Sequence, residues 1–113
     1  FEGYWPQLSS VTISNSVTEI RGYAFYAAGN VRRIVIPDSV TSMGKYAFSG
    51  CTGLKTIILL QKDPSRCIAG QHLLDGTGAE ILVPQGTSDS YKRNYFWSSY
   101  AGKIRENTNH AEK

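Results

Sequence analysis

The chain is poor in the residues on which reactive chemistry and covalent scaffolds are built. Two cysteines and two histidines occur among 113 residues. Two cysteines make neither a multi-bridge scaffold nor a four-ligand zinc site, and no C-x-x-C or H-E-x-x-H spacing is present. Long apolar runs are missing too: the longest is Thr56-Ile57-Ile58-Leu59-Leu60, far short of the roughly 18 residues that a membrane-spanning helix needs. Nor is there a large excess of one charge. Twelve basic against nine acidic residues leave a net charge of +3, too little for counterion release to drive useful nucleic-acid binding.

The same scarcity excludes the common catalytic arrangements. His72 and His110, the candidate bases for a cysteine nucleophile, each lie in a polar segment. Asp75-Gly76-Thr77-Gly78-Ala79 lacks the Gly-Lys-Ser/Thr ending and the following helix of a phosphate loop. No G-x-S-x-G elbow makes a nucleophile of any serine. Catalytic residues, metal ligands and cofactor sites are therefore all expected to be absent.

What the chain does have is 41% hydrophobic and 12% aromatic residues, enough for the core of one domain, and an internal repeat. Residues 8–30 read LSSVTISNSVTEIRGYAFYAAGN and residues 31–53 read VRRIVIPDSVTSMGKYAFSGCTG. Aligned without a gap, they are identical at Ile13/Ile36, Ser16/Ser39, Val17/Val40, Thr18/Thr41, Tyr23/Tyr46, Ala24/Ala47 and Phe25/Phe48. Apolar swaps fall at Leu8/Val31, Val11/Ile34 and Ile20/Met43. A third copy opens at Leu54-x-x-Ile57-x-Leu59 and loses the pattern over 61–78; Ile81-Leu82-Val83-Pro84 then repeats Ile34-Val35-Ile36-Pro37. Phe1-Glu2-Gly3 matches Phe48-Ser49-Gly50, so the chain is expected to begin inside a repeat.

Each copy carries L-x-x-V-x-I-x-x-S, a leucine-rich-repeat phrase with Ser16 or Ser39 in the place of Asn or Cys. Val11 and Ile13 alternate with Thr12, as in a short strand with one face on a core. Pro37-Asp38-Ser39 and Ser14-Asn15-Ser16 turn the chain, with Asp38 and Asn15 suited to Asx turns. Val17, Ile20 and Tyr23-Ala24-Phe25 then close the coil, with Phe25 and Phe48 stacked in successive turns. The expected fold is mainly β: a solenoid of short parallel strands and loops with a short helical C-terminal cap.

The phrase Ile36-Pro37-Asp38-Ser39-Val40-Thr41-Ser42-Met43-Gly44-Lys45-Tyr46-Ala47-Phe48-Ser49-Gly50-Cys51, with its shorter echo Val17-Thr18-Glu19-Ile20 and Tyr23-Ala24-Phe25, resembles the repeat of BspA-like leucine-rich-repeat proteins. The first copy departs from it, with Arg21-Gly22 in place of Gly44-Lys45 and Ala28 at the position of Cys51. The resemblance implies a bacterial secreted or cell-surface protein in which the repeats bind host, matrix or other cell-surface proteins. A structural spacer that displays another domain is the alternative.

The expected organisation is a solenoid over residues 1–105: 1–7 end a truncated repeat, 8–30 and 31–53 are repeats, 54–78 an irregular repeat and 79–105 a cap. Residues 106–113 form a polar tail that has nothing to bury. In the cap, Thr87 or Ser88 is expected to N-cap a short helix that carries Asp89 in its first turn and aims Tyr91, Tyr95 and Phe96 at the coil; Trp97, Tyr100 and Ile104 complete the cover. Cys51 takes the position of Ala28 and is expected to be a buried free thiol; a Cys51–Cys67 disulfide stays open for an exported protein.

The outward column of stacked strands is where a solenoid offers a surface. The repeat register sets Thr12, Val35, Ile58 and Leu82 in a line outside the core phase, with Arg32, Arg33 and Lys55 beside it. That apolar line edged by cations is the candidate docking surface for an acidic or amphipathic protein segment; the competing reading is that Val35 and Ile58 only favour strands and the cations only solvate the edge.

Overall fold

In the computed structural model, residues 10–108 are described. The matches of Phe1-Glu2-Gly3 to a repeat, the closing residues 109–113 and His110 lie outside the described residues. The alternating phrase forms one strand per coil, and the strands stack in parallel. The main sheet holds β1 (Ser10–Thr12), β3 (Arg33–Ile36), β5 (Thr56–Leu59), β7 (Glu80–Val83) and β8 (Ile104–Glu106), in that order. A second, shorter sheet on the return path stacks β2 (Glu19–Ile20), β4 (Ser42–Met43) and β6 (Ile68–Ala69). Between the two sheets lies the core, with Ile34, Ile36, Ile57, Leu59, Ile81 and Val83 facing Ile20, Met43, Phe48 and Leu74.

The return path owes its shape to a hydrogen-bond alternation. Ala24, Tyr26 and Ala28 donate their N–H groups three residues back, to the carbonyls of Arg21, Tyr23 and Phe25. Tyr23, Phe25 and Ala27 donate across to Lys45, Ala47 and Ser49 of the next coil. The second coil repeats this, Tyr46, Phe48 and Gly50 donating to Gln71, Leu73 and Asp75. So tight a winding forces left-handed backbone at two positions per coil. One is filled by Tyr23, Tyr46 and His72 (φ 63°, 59° and 57°), the other by Ala27, Gly50 and Gly76 (φ 60°, 75° and 82°). The first carries a stack of rings, Tyr23 on Tyr46 at 5.1 Å and Tyr46 on His72 at 4.9 Å between centroids. Inside, Phe25 lies on Phe48 at 5.4 Å, as expected.

The stretch expected to be irregular is a third full coil in a shifted register. Eight residues (60–67) connect β5 to β6, against five (37–41) from β3 to β4. A 3-10 turn, Pro64–Arg66, capped by Asp63, absorbs the insertion. From there the pairing runs at an offset of 26, Met43 beside Ala69, where the first two coils run at 23, Ile20 beside Met43. Gly44/Gly70 and Gly50/Gly76 are the identities this register exposes. Coils close in on each other at the first pair: a Cβ on Gly70 would lie 2.5 Å from the carbonyl carbon of Gly44.

The cap corrects several expectations. Helix α1 (Ser88–Arg93) starts after Thr87, but the Thr87 hydroxyl donates to the Pro84 carbonyl and caps nothing. Glu106 does the capping: its Oε2 accepts from the Ser88 N–H (3.4 Å) and hydroxyl (3.1 Å), and these bonds, with one from the Gly86 N–H, hold its carboxyl below the usual range. Ile104, Arg105 and Glu106 form a fifth strand of the main sheet, which takes Glu106 out of the expected tail. Tyr91 and Trp97 are buried, whereas Tyr95 is 86% exposed and Phe96 39%. The helix ends at Arg93, so Tyr95 and Phe96 follow it in a turn and do not share the inward face of Tyr91.

In the turns, the Ser14 hydroxyl accepts the Ser16 N–H and the Ser39 hydroxyl donates to the Val17 carbonyl of the coil below. Serine therefore supplies the bonds assigned to Asn15 and Asp38. It reaches a neighbouring carbonyl that an Asx turn would leave unmet.

An alanine at φ 60° carries strain that glycine does not. Ala27→Gly is expected to raise stability by about 0.5–1 kcal/mol, and Gly50→Ala to lower it by about 1 kcal/mol or more. Urea midpoints of both variants check this.

Candidate functional site

The five parallel strands keep a strict register, so each side-chain position on the outer face becomes a row. Thr12, Val35, Ile58, Leu82 and Arg105 form one row. Ser10, Arg33, Thr56 and Glu80 form the row beside it. Four of the sequence-predicted residues thus line up in order, and Arg33 stands next to them. Arg32 and Lys55 lie just before β3 and β5, both exposed, and the Arg32 carbonyl accepts the Lys55 N–H at 2.8 Å. Arg33 is half-buried and donates from Nη1 to the Ser10 hydroxyl at 2.9 Å. Arg105 Nε lies 3.9 Å from Glu80 Oε2, both half-exposed.

Val35 and Ile58 correct the expected line. They stand outside the main core cluster, yet they are only 6% and 2% exposed. Central strands have neighbours about 4.8 Å away on both sides, and a branched side chain in such a row is hidden by the rows around it. What a partner can touch in this row is therefore Thr12, Leu82 and Arg105, with the cations Arg32, Arg33 and Lys55 nearby. Arg105 was missed because Ile104-x-Glu106 was read as cover and tail; its alternation was the available signal.

A second surface lies where the third coil meets the cap. The coil edge carries backbone groups that another coil would satisfy, and the cap's side chains meet several of them. The Tyr91 hydroxyl donates to the Gln61 carbonyl at 2.6 Å and the Trp97 indole to the Cys67 carbonyl at 2.7 Å. Tyr100 lies beside them, its hydroxyl near the Leu73 and Leu74 backbone, and burial raises its pKa. Beside these contacts a groove of about 930 Å³ stays open. Gln71, His72 and Asp75 line one wall; Tyr95, Phe96 and Ser99 line the other. His72 Nδ1 and Asp75 Oδ2 are 2.7 Å apart. In the sequence His72 stands only in a polar segment, because the offset of 26 is what makes it the counterpart of Tyr46.

Both cysteines are buried free thiols. Cys51 donates its S–H to the Phe25 carbonyl, and burial raises its pKa. Burial pushes Cys67 up to about 12 and raises Tyr91 further above the ordinary tyrosine range. Among the described residues no three His, Cys, Asp or Glu gather to hold a metal ion, and no helix is long and apolar enough to cross a membrane.

A family model described as a BspA-type leucine-rich-repeat region of six copies matches residues 2–99. No curated protein matches the chain. β8 falls beyond the matched span.

The thiols set an alkaline limit on the fold. An unfolded thiol releases its proton near pH 8.5, well before buried Cys67 does. Stability is therefore complete below that pH and declines as pH rises towards 12, by up to roughly 1.4 kcal/mol per unit for each thiol. Urea midpoints are expected to fall between pH 8.5 and 10 in the native protein and to stay level in Cys51→Ala/Cys67→Ala. Above about pH 10 buried Tyr91 adds its own loss in both.

Proposed function

The chain belongs to the BspA-type leucine-rich-repeat family, and from that premise we propose that it is a non-catalytic binding or adhesion module that docks protein surfaces through the outward face of its strand ladder. The observation that carries this reading is the five-strand register, which sets Thr12 and Leu82 in one row with Arg33 alongside. Stacked repeats commonly use such a continuous face for partners. Arg32, Arg33 and Lys55 bring positive charge to one part of it, which suits an acidic segment and speeds encounter. Secretion or display at a bacterial cell surface, with host, matrix or other cell-surface proteins as partners, is supported by the family alone.

The test is surface-plasmon binding of the whole chain to a panel of extracellular-matrix and cell-surface proteins. The variants are Arg32→Glu/Lys55→Glu and Leu82→Asp, whose side chains can change without entering the main core; Val35 and Ile58 are too buried for this use. A partner held by the native chain is expected to bind at least tenfold more weakly to each variant, and the native complex to weaken with salt. Equal binding by all three proteins would exclude the ladder face, and a panel with no partner would favour a spacer.

A further inference from the structure

We propose that the groove between the third coil and the cap is a binding site for a neutral glycan. The groove's volume, about 930 Å³, falls within the roughly 300–1,000 Å³ of small-ligand sites. Its two walls differ in chemistry in the way a sugar ring requires, with flat apolar faces on one side and hydrogen-bonding groups on the other.

The cap supplies the apolar wall. Tyr91 and Trp97 each spend a polar tip on the third coil, whereas the Tyr95 and Phe96 rings bond to none of its described residues and face outward. Asn94 Oδ1 accepts the Phe96 N–H at 2.8 Å, and the two rings sit edge to face at 5.1 Å. Rigid aromatic side chains offer contact area at little entropic cost, and the C–H faces of a pyranose are the apolar part of a sugar.

The coil supplies the polar wall. Gln71, His72 and Asp75 are planar groups that donate to or accept from adjacent hydroxyls. The His72 ring is fixed by its stack on Tyr46 and its bond to Asp75. Behind them lies Ala69. Ile68 and Gly70 donate their N–H groups to the fourth strand's side, to Thr41 and Met43, so the Ala69 N–H and C=O point the other way, toward the groove. Among the described residues nothing bonds to these two groups.

Charge and edge length select the ligand. No lysine or arginine lines the groove and Asp75 brings its one formal charge, which disfavours sulfated or sialylated sugars. A peptide adding a strand here would find one residue's N–H and C=O, too short an edge for strand addition, which draws its affinity from a run of main-chain bonds. Hydroxyls around a ring can use scattered donors and acceptors instead.

The test is an array of neutral hexose and N-acetylhexosamine oligosaccharides, with sulfated and sialylated glycans and extended peptides alongside, probed with the whole chain and followed by titration calorimetry on the best binder. Binding of a neutral oligosaccharide, at least tenfold weaker in both Tyr95→Ala and Asp75→Asn and unchanged in Leu82→Asp, is the expected result. These side chains are exposed, and circular dichroism checks that the variants fold. Binding of anionic glycans or peptides alone, no neutral binder at millimolar concentration, or equal binding by Tyr95→Ala would overturn the proposal. Because Leu82→Asp alters only the ladder face, failure of one site is distinguishable from failure of the other.

Discussion

A stack of parallel coils depends on its edges. Each coil leaves backbone N–H and C=O groups pointing along the stack, and a buried group left unmet costs about 1–3 kcal/mol. Within the stack the next coil meets them, as Tyr46, Phe48 and Gly50 do by donating to Gln71, Leu73 and Asp75. Among the described residues no fourth return strand follows β6, and the chain answers with side chains. Tyr91 and Trp97 donate to Gln61 and Cys67. Each is an aromatic that covers apolar core with its ring and satisfies the edge with its tip. The main sheet ends differently, with a further strand, β8, whose Glu106 also holds the start of α1.

The cap therefore explains features far from it. Cys67 is buried where the Trp97 indole bonds its carbonyl, and burial raises its thiol. The groove exists because a cap made of side chains covers less of the edge than a coil would, leaving Ala69 and the ring of His72 beside open space. The outer ladder is independent of this. It follows from strand register alone, and its rows would continue through any number of stacked coils.

Much of this architecture was legible in the sequence because the first two coils are equal in length. Ile13/Ile36, Val17/Val40 and Phe25/Phe48 align without a gap, and every one of these pairs stacks or packs in neighbouring coils. The third coil was illegible for a simple reason: three residues inserted before β6 and two removed after it break a gapless comparison twice. In the part shifted by 26, only Gly44/Gly70 and Gly50/Gly76 survive as identities, both where a side chain would meet backbone or strain it. The rows of the candidate surface were legible from register, but burial was not. Val35 and Ile58 have the alternation of outward residues, and no period reports how closely neighbouring rows cover them. The sequence pattern aims Tyr95 and Phe96 at the coil along with Tyr91, but the helix stops at Arg93 and leaves both outside.

Native-state hydrogen exchange on the unaltered chain, Tyr91→Phe and Trp97→Phe tests most directly the claim that aromatic tips replace a missing coil. Each variant keeps a ring and removes one donor to the third coil. The account predicts a loss of about 1–3 kcal/mol in each, with the Ile68 and Gly70 amides losing more protection than the Ile13 amide, which bonds at the far side of the stack. A loss below about 0.5 kcal/mol, or one spread evenly over all coils, would show that the cap holds by apolar cover alone and would contradict the account.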